Sequence, residues 1–87
     1  MVPLAAMMAR RALLFTMAGN ADGEAALAFL QARGVAVDVR DVGTDPEASL
    51  DVFRRVGRLA VPTIVIDDRA FPGFAAYREE IEAALRS

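Results

Sequence analysis

Arg55–Asp68 is the stretch that most restricts how this chain can fold. Gly57 is expected to end a helix, because glycine adopts the left-handed conformation that closes a helix at little cost. Pro62 has no N–H and therefore suits the first position of a strand, and the β-branched run Thr63–Ile66 follows it. Val61 precedes the proline and is restricted to extended geometry, so its N–H and C=O can face outward. The sequence therefore predicts a helix, a loop and a buried strand, with Val61 and Pro62 forming a ledge for an extended peptide.

Composition excludes several classes of function. The 87 residues include no cysteine and no histidine, and 10 basic against 12 acidic residues give a net charge of −2. The chain therefore has no thiolate nucleophile and no disulfide, and it lacks the usual general base and the commonest zinc ligand. The small negative charge provides no basic field for nucleic acid. We predict no catalytic residue, no metal site and no nucleic-acid partner.

Length and hydropathy predict one small domain. A chain of 87 residues that is 55 % hydrophobic can bury a single compact core. We expect residues 1–9 to form a flexible N-terminal extension and residues 10–87 to form the domain. No apolar run approaches the ~20 residues of a membrane span, and the paired arginines follow the apolar start, the wrong order for a secretory signal. We therefore predict no membrane partner and a cytoplasmic location.

The first half of the chain predicts a strand, a helix and a second strand. The continuous apolar run at residues 12–16 is typical of a strand buried on both faces. Asn20 is a good helix N-cap, and Gly34 is placed to end that helix. The alternation of valines at 35, 37 and 39 then predicts a half-buried strand near a sheet edge.

The second half predicts a helix, a hairpin and a closing helix. Asp45–Pro46 is a favourable helix start, and Leu50, Phe53 and Val56 are predicted to face the core. Asp67–Asp68 predicts the turn of an antiparallel hairpin. With parallel strands joined by helical crossovers before the hairpin, the order β-α-β-α-β-β-α predicts an α/β fold. Its four-stranded mixed sheet has strand order 2-1-3-4, an antiparallel last strand and three flanking helices.

Residues 13–85 resemble the glutaredoxin branch of the thioredoxin fold. The resemblance is carried by Arg55-x-Gly57-Arg58-x-x-Val61-Pro62, by the strand and turn after it, and by the Gly73–Phe74 pair that opens the last helix. It implies a thioredoxin fold and a cis Val61–Pro62 peptide bond. In this family a Cys-x-x-Cys motif at the start of the first helix carries out thiol–disulfide exchange, because the helix dipole lowers the thiol pKa.

The same comparison places the two family cysteines at Asn20 and Gly23. Neither residue can attack a disulfide, so the resemblance implies a chain without thiol–disulfide exchange activity of its own. Asn20 still suits the N-cap of the helix.

The glutathione site of the family is only half present. Arg58 and Val61 match positions that bind glutathione, whereas Met17 replaces a basic residue and Ala75 and Ala76 replace acidic ones. Each missing charged anchor is worth about 1–3 kcal/mol, so their loss weakens affinity by orders of magnitude. We therefore expect no cofactor, with glutathione binding weak at most.

These patterns predict a degenerate glutaredoxin-like module, not an enzyme, that binds a peptide or protein partner along the Val61–Pro62 ledge. One alternative is a transferase-like enzyme in which Thr16 or Asn20 hydrogen-bonds the thiolate of bound glutathione. Another is a structural domain or homodimer held by an exposed apolar patch of Met17, Pro62 and Phe74. The residues predicted to bind the ligand are Gly19, Asn20, Arg58, Val61, Pro62, Gly73 and Phe74.

Overall fold

The computed structural model describes residues 10–86, and the predicted extension at residues 1–9 lies outside them. The strands are β1 (Arg11–Thr16), β2 (Ala36–Asp41), β3 (Thr63–Ile66) and β4 (Arg69–Phe71). The helices are α1 (Ala21–Ala32), α2 (Pro46–Val56) and α3 (Arg78–Arg86), with a 3-10 turn at Ala75–Tyr77 before α3. The predicted element order is confirmed. No helix among residues 10–86 is long and apolar enough to cross a membrane.

One mixed sheet contains the strands in the order β2-β1-β3-β4, as predicted. β1 and β2 are parallel, and β4 is antiparallel to β3. The expected parallel crossover into β3 is wrong, because β3 is antiparallel to β1. The reason is that α2 carries the chain to the amino end of β1, where Arg55 and Arg11 line one cavity. Residues 57–62 then return it to the other end before β3 begins.

The sheet separates two apolar cores. On one face, α1 and α3 cover β1 and β3, and Leu14, Leu30 and Ile64 are fully buried there. On the other face, α2 packs on Phe15 of β1 and Val65 of β3. Both central strands are therefore buried on both faces, which explains their continuous apolar runs.

α2 is rotated relative to the sequence prediction. Leu50 and Phe53, predicted to face the core, are 46 % and 51 % exposed, whereas Ala48 and Val52 are fully buried. Val56 is partly buried against the same core, so the buried stripe runs at positions 48, 52 and 56. The sequence offers two neighbouring apolar stripes, and small Ala48 lets the helix backbone approach the sheet along the second one.

The ion pair between Arg40 and Asp45 makes the stability of the α2 start depend on pH. The guanidinium of Arg40 donates to Asp45 Oδ2 at 3.0 Å, and Asp45 Oδ1 caps α2 by accepting from the Glu47 N–H at 3.0 Å. The hydrogen bond from Arg40 is the main cause that holds the pKa of the Asp45 carboxyl below its ordinary value, against desolvation. Because the folded pKa is lowered, the pair stabilises the fold above the ordinary carboxyl pKa and loses this effect as pH falls.

We therefore expect Asp45→Asn, which keeps a capping side chain, to reduce the free energy of unfolding at pH 7 and to differ less from the wild type near pH 3. Urea denaturation at the two pH values measures this difference. Asp68→Asn at the exposed hairpin turn makes the same side-chain change where no ion pair within residues 10–86 is lost, and it is the control. A difference for Asp45→Asn that stays constant with pH would contradict the assignment.

Candidate ligand-binding site

Three loops meet at one end of the sheet. They are the β1 loop (residues 17–20), the ledge loop (residues 57–62) and the β4 loop (residues 72–74). β1 pairs antiparallel with β3, and β3 pairs antiparallel with β4. The carboxyl ends of β1 and β4 and the amino end of β3 therefore lie at the same end of the sheet, so the three loops leave it side by side. All the residues predicted to bind the ligand belong to these loops, and Arg58 lies at the start of the ledge loop, where the chain has just left α2.

Asn20 begins α1, as predicted. Its backbone is extended, with φ −80 and ψ 108, and its Oδ1 accepts a hydrogen bond from the Gly23 N–H at 2.7 Å. The Asn20 N–H donates to the Met17 carbonyl at 3.1 Å, which closes the β1 loop. Gly19 has φ +81 in this turn, a conformation that favours glycine. Because the cap uses Oδ1, the amide NH₂ is the polar group that Asn20 has left for a ligand.

Gly23 lies in buried space directly against Thr16. A Cβ at position 23 would overlap Thr16 Oγ1 and lie 3.3 Å from Asn20 Oδ1. Thr16 Oγ1 is buried and has no hydrogen-bond partner among residues 10–86. The packing therefore leaves no room for a side chain at the second family cysteine position. The Thr16 oxygen is therefore covered by the protein and not exposed to a ligand.

Asp22 connects the start of α1 to the β4 loop, a role that the sequence analysis missed. Its carboxylate accepts hydrogen bonds from the Phe74 N–H at 2.9 Å and the Ala75 N–H at 3.2 Å. These charge-assisted bonds hold the β4 loop against the helix that begins the site. An acidic residue in a first helical turn is already expected from the helix dipole, so no local signal points to this distant partner.

The ledge loop is held in place by Thr63. This residue is fully buried, and its Oγ1 donates to the Ala60 carbonyl at 2.7 Å. Gly57 ends α2 in the left-handed conformation with φ +81, and the Val61–Pro62 bond is cis, as the resemblance implied. Val61 is half-buried against the α2 core. Neither its N–H nor its C=O makes a hydrogen bond within residues 10–86.

Charge at the site is sparse. Arg58 is exposed and forms no ion pair with another residue of the described range 10–86, whereas Arg55 pairs with Asp51 at 3.2 Å. Arg54 is likewise exposed and forms no ion pair within residues 10–86, and Arg58 differs from it in belonging to the ledge loop itself.

The predicted exposed patch of Met17, Pro62 and Phe74 is wrong. Met17 is 40 % exposed, but Pro62 is fully buried and Phe74 is 5 % exposed. The Phe74 ring packs edge-on against Phe29 with centroids 5.1 Å apart and so belongs to the core between α1 and the sheet. Gly73, with φ +140, turns the chain from β4 to this buried ring. The β4 loop therefore presents backbone rather than an aromatic side chain to a ligand.

One family model and several solved structures are similar to this chain. The glutaredoxin family model matches residues 12–71. The crystal structure of glutaredoxin (grx-1) from Archaeoglobus fulgidus is similar over 100 % of this chain and 98 % of its own, with TM-score 0.76 and 20 % identity. The thioredoxin-like protein BC3987 is similar over 85 % of this chain and 99 % of its own, with TM-score 0.77 and 24 % identity.

A third similar structure is the dithiolic glutaredoxin 2-C-Grx1 from Trypanosoma brucei brucei. It covers 99 % of this chain and 94 % of its own, with TM-score 0.70 and 20 % identity. No curated protein sequence matches this chain. At these identities the structural similarities establish a thioredoxin-like fold, and the resemblance inferred from the sequence motifs is confirmed by the family model.

Proposed function

The chain belongs to the glutaredoxin family but contains no cysteine, and we propose that it is a non-catalytic member that binds a peptide or protein partner along the Val61–Pro62 ledge. Thiol–disulfide exchange requires a thiolate that attacks a disulfide sulfur, and no side chain at positions 20 and 23 supplies one. What a chain without cysteine retains is the binding surface around positions 20 and 23.

The observation that carries the proposal is the unpartnered backbone of Val61. Its N–H and C=O have no hydrogen-bond partner within residues 10–86, although its side chain packs on the core and the loop is held by Thr63. A rigid extended segment with free backbone groups suits an incoming extended peptide, which pairs through main-chain hydrogen bonds. Leu59, 48 % exposed beside it, supplies an apolar contact, and Arg58 favours an acidic group on the partner.

Glutathione is the weaker candidate for the same site. Its amine would lie near Ala75 and Ala76, which carry no charge, and the buried oxygen of Thr16 is not placed to hold its thiolate. An amide NMR titration with reduced and oxidised glutathione tests this alternative. Saturable shifts at Gly19, Arg58 and Val61 would favour it, and a flat response would favour a protein partner.

The ledge itself is tested by removing one hydrogen-bond donor. A photo-crosslinking amino acid at position 59 captures a partner inside the cells that produce this protein. The same amino acid at exposed position 79 of α3 measures nonspecific crosslinking. We expect Val61→Pro, which lacks the N–H, to reduce crosslinking at position 59 about fivefold, because one hydrogen bond contributes about 1 kcal/mol. Val61→Ile keeps the N–H and is expected to crosslink like the wild type.

A melting curve for each variant separates loss of binding from loss of folding. If folded Val61→Pro captures the same partner as efficiently as Val61→Ile, the partner does not bind along the ledge.

A further inference from the structure

β2 is an open edge of the sheet with backbone groups that point to solvent. The Ala36 N–H donates to the Arg10 carbonyl at 2.9 Å, and the Val42 N–H donates to the Thr16 carbonyl at 2.8 Å. Even-numbered residues of β2 therefore direct their backbone groups to β1. Because backbone direction alternates along a strand, the odd-numbered residues direct theirs away from the sheet. Val37 and Val39 thus present free N–H and C=O groups at the outer edge.

Apart from its charged side chains, this edge lacks the devices that normally prevent strand pairing. β2 pairs with β1 over six continuous residues without a bulge, and it contains no proline or lysine. The opposite edge is protected, because β4 has three residues and Pro72 follows it. At the centre of the β2 edge, Val39 is 46 % exposed. It shares a cavity of about 340 Å³ with Met17 and Leu27, so an apolar surface continues beside the free backbone.

The two side chains that flank Val39 carry opposite charges, so they can pair with the same two side chains of a second copy of the chain. Asp38 and Arg40 both lie on the α2 face of the sheet, since Asp38 lines a cavity with Arg55 and Arg40 donates to Asp45. Asp38 forms no ion pair within residues 10–86. Arg40 has further N–H donors besides the one that Asp45 accepts. A second copy of β2 running in the opposite direction would therefore meet each of these two charges with its opposite.

We propose that two copies of this chain pair through antiparallel β2 strands, related by a two-fold axis at Val39. Val39 then lies opposite Val39 of the partner subunit, and these two residues exchange N–H···O bonds because both direct their backbone groups outward. Asp38 lies opposite Arg40 of the partner subunit, on the same face and within reach of an ion pair. The two-fold symmetry makes every such contact twice.

The proposed pairing ends at Asp41 and leaves the Val61–Pro62 ledge open. The Asp41 carbonyl already accepts from the Asp45 N–H at 2.9 Å, which turns the chain away from the edge. β1 separates β2 from β3, the strand that follows the Val61–Pro62 ledge. A continuous eight-stranded sheet would thus carry two ledges that face solvent, and this dimer does not depend on the proposed partner binding.

Sedimentation equilibrium of the full chain, from about 5 to about 500 µM, tests the proposal. We expect the weight-average mass of the wild type to rise from that of a monomer towards that of a dimer. Asp38→Arg and Arg40→Glu each place two like-charged pairs across the axis, so each variant alone should associate at least about tenfold more weakly. An equimolar mixture restores opposite charges at both pairs and should associate within about threefold of the wild type.

Glu79→Arg on exposed α3 makes the same change in charge as Asp38→Arg, and it should associate like the wild type. A wild type that stays monomeric over the whole range overturns the proposal. So do charge variants that associate like the wild type, or a mixture that associates no better than either variant alone, because the contact would then lie elsewhere. Circular dichroism confirms that each variant is folded before the comparison.

Discussion

Asp22→Ala is expected to reduce the free energy of unfolding by about 2 kcal/mol, because it removes a charged acceptor from two backbone N–H groups. Phe74 and Ala75 donate to this carboxylate at 2.9 and 3.2 Å. Without it, the start of the last helical segment loses its acceptor, since the 3-10 turn has no other side-chain cap. Urea denaturation measures the loss, and hydrogen exchange should be faster at the Phe74 and Ala75 amides.

Two variants isolate the cause. Glu24→Ala removes the other acidic side chain of the first turn of α1, which accepts no hydrogen bond within residues 10–86. It should cost only the dipole contribution of about 0.3–1 kcal/mol. Asp22→Asn keeps a neutral acceptor and should fall between the two. Equal losses for Asp22→Ala and Glu24→Ala would mean that the bonds to the β4 loop contribute nothing to stability.

Gly23→Ala is expected to destabilise the protein by about 1–2 kcal/mol, although alanine is the better helix former. The added Cβ overlaps Thr16 Oγ1 in a buried space, and this overlap outweighs the gain of up to about 1 kcal/mol in helix propensity. Thr16→Ala alone should cost at most about 1 kcal/mol for the methyl group that it removes, because the oxygen has no partner among residues 10–86.

The double variant Thr16→Ala/Gly23→Ala should therefore be more stable than the sum of the two single changes predicts, by about 1 kcal/mol. Urea denaturation of the wild type, the two single variants and the double variant measures this difference as a double-mutant cycle. If the two changes in the free energy of unfolding simply add, Thr16 is free to rotate away and the space beside Gly23 is open to a side chain.

The same overlap bears on the chemistry of the family. Asn20 can be replaced by cysteine at the cost of its cap, but a cysteine in place of Gly23 carries the Cβ that Thr16 excludes. Restoring the Cys-x-x-Cys motif thus requires Thr16 to move or to be replaced. The absence of the second family cysteine is therefore accompanied by a Thr16 side chain that a Cβ at position 23 would overlap.

Local signals in the sequence predicted the segments correctly. Asn20 caps α1, Asp45 caps α2 and Gly57 ends it, because each of these roles depends on hydrogen bonds or backbone angles within a few residues. The order of the elements predicted the strand order of the sheet, and the motif around Pro62 was enough to identify the family and with it the cis bond.

Tertiary structure alone decided how these segments face one another. Leu50 and Phe53 lie outside because Ala48 and Val52 fit the sheet more closely, a choice between two apolar stripes that the sequence leaves equal. The hydrogen bond from Phe74 to Asp22 joins residues 52 positions apart, and the sequence near either residue does not predict this partner. Caps and turns follow from neighbours along the chain, whereas the rotation of a helix and the partner of a carboxylate follow from packing between distant segments.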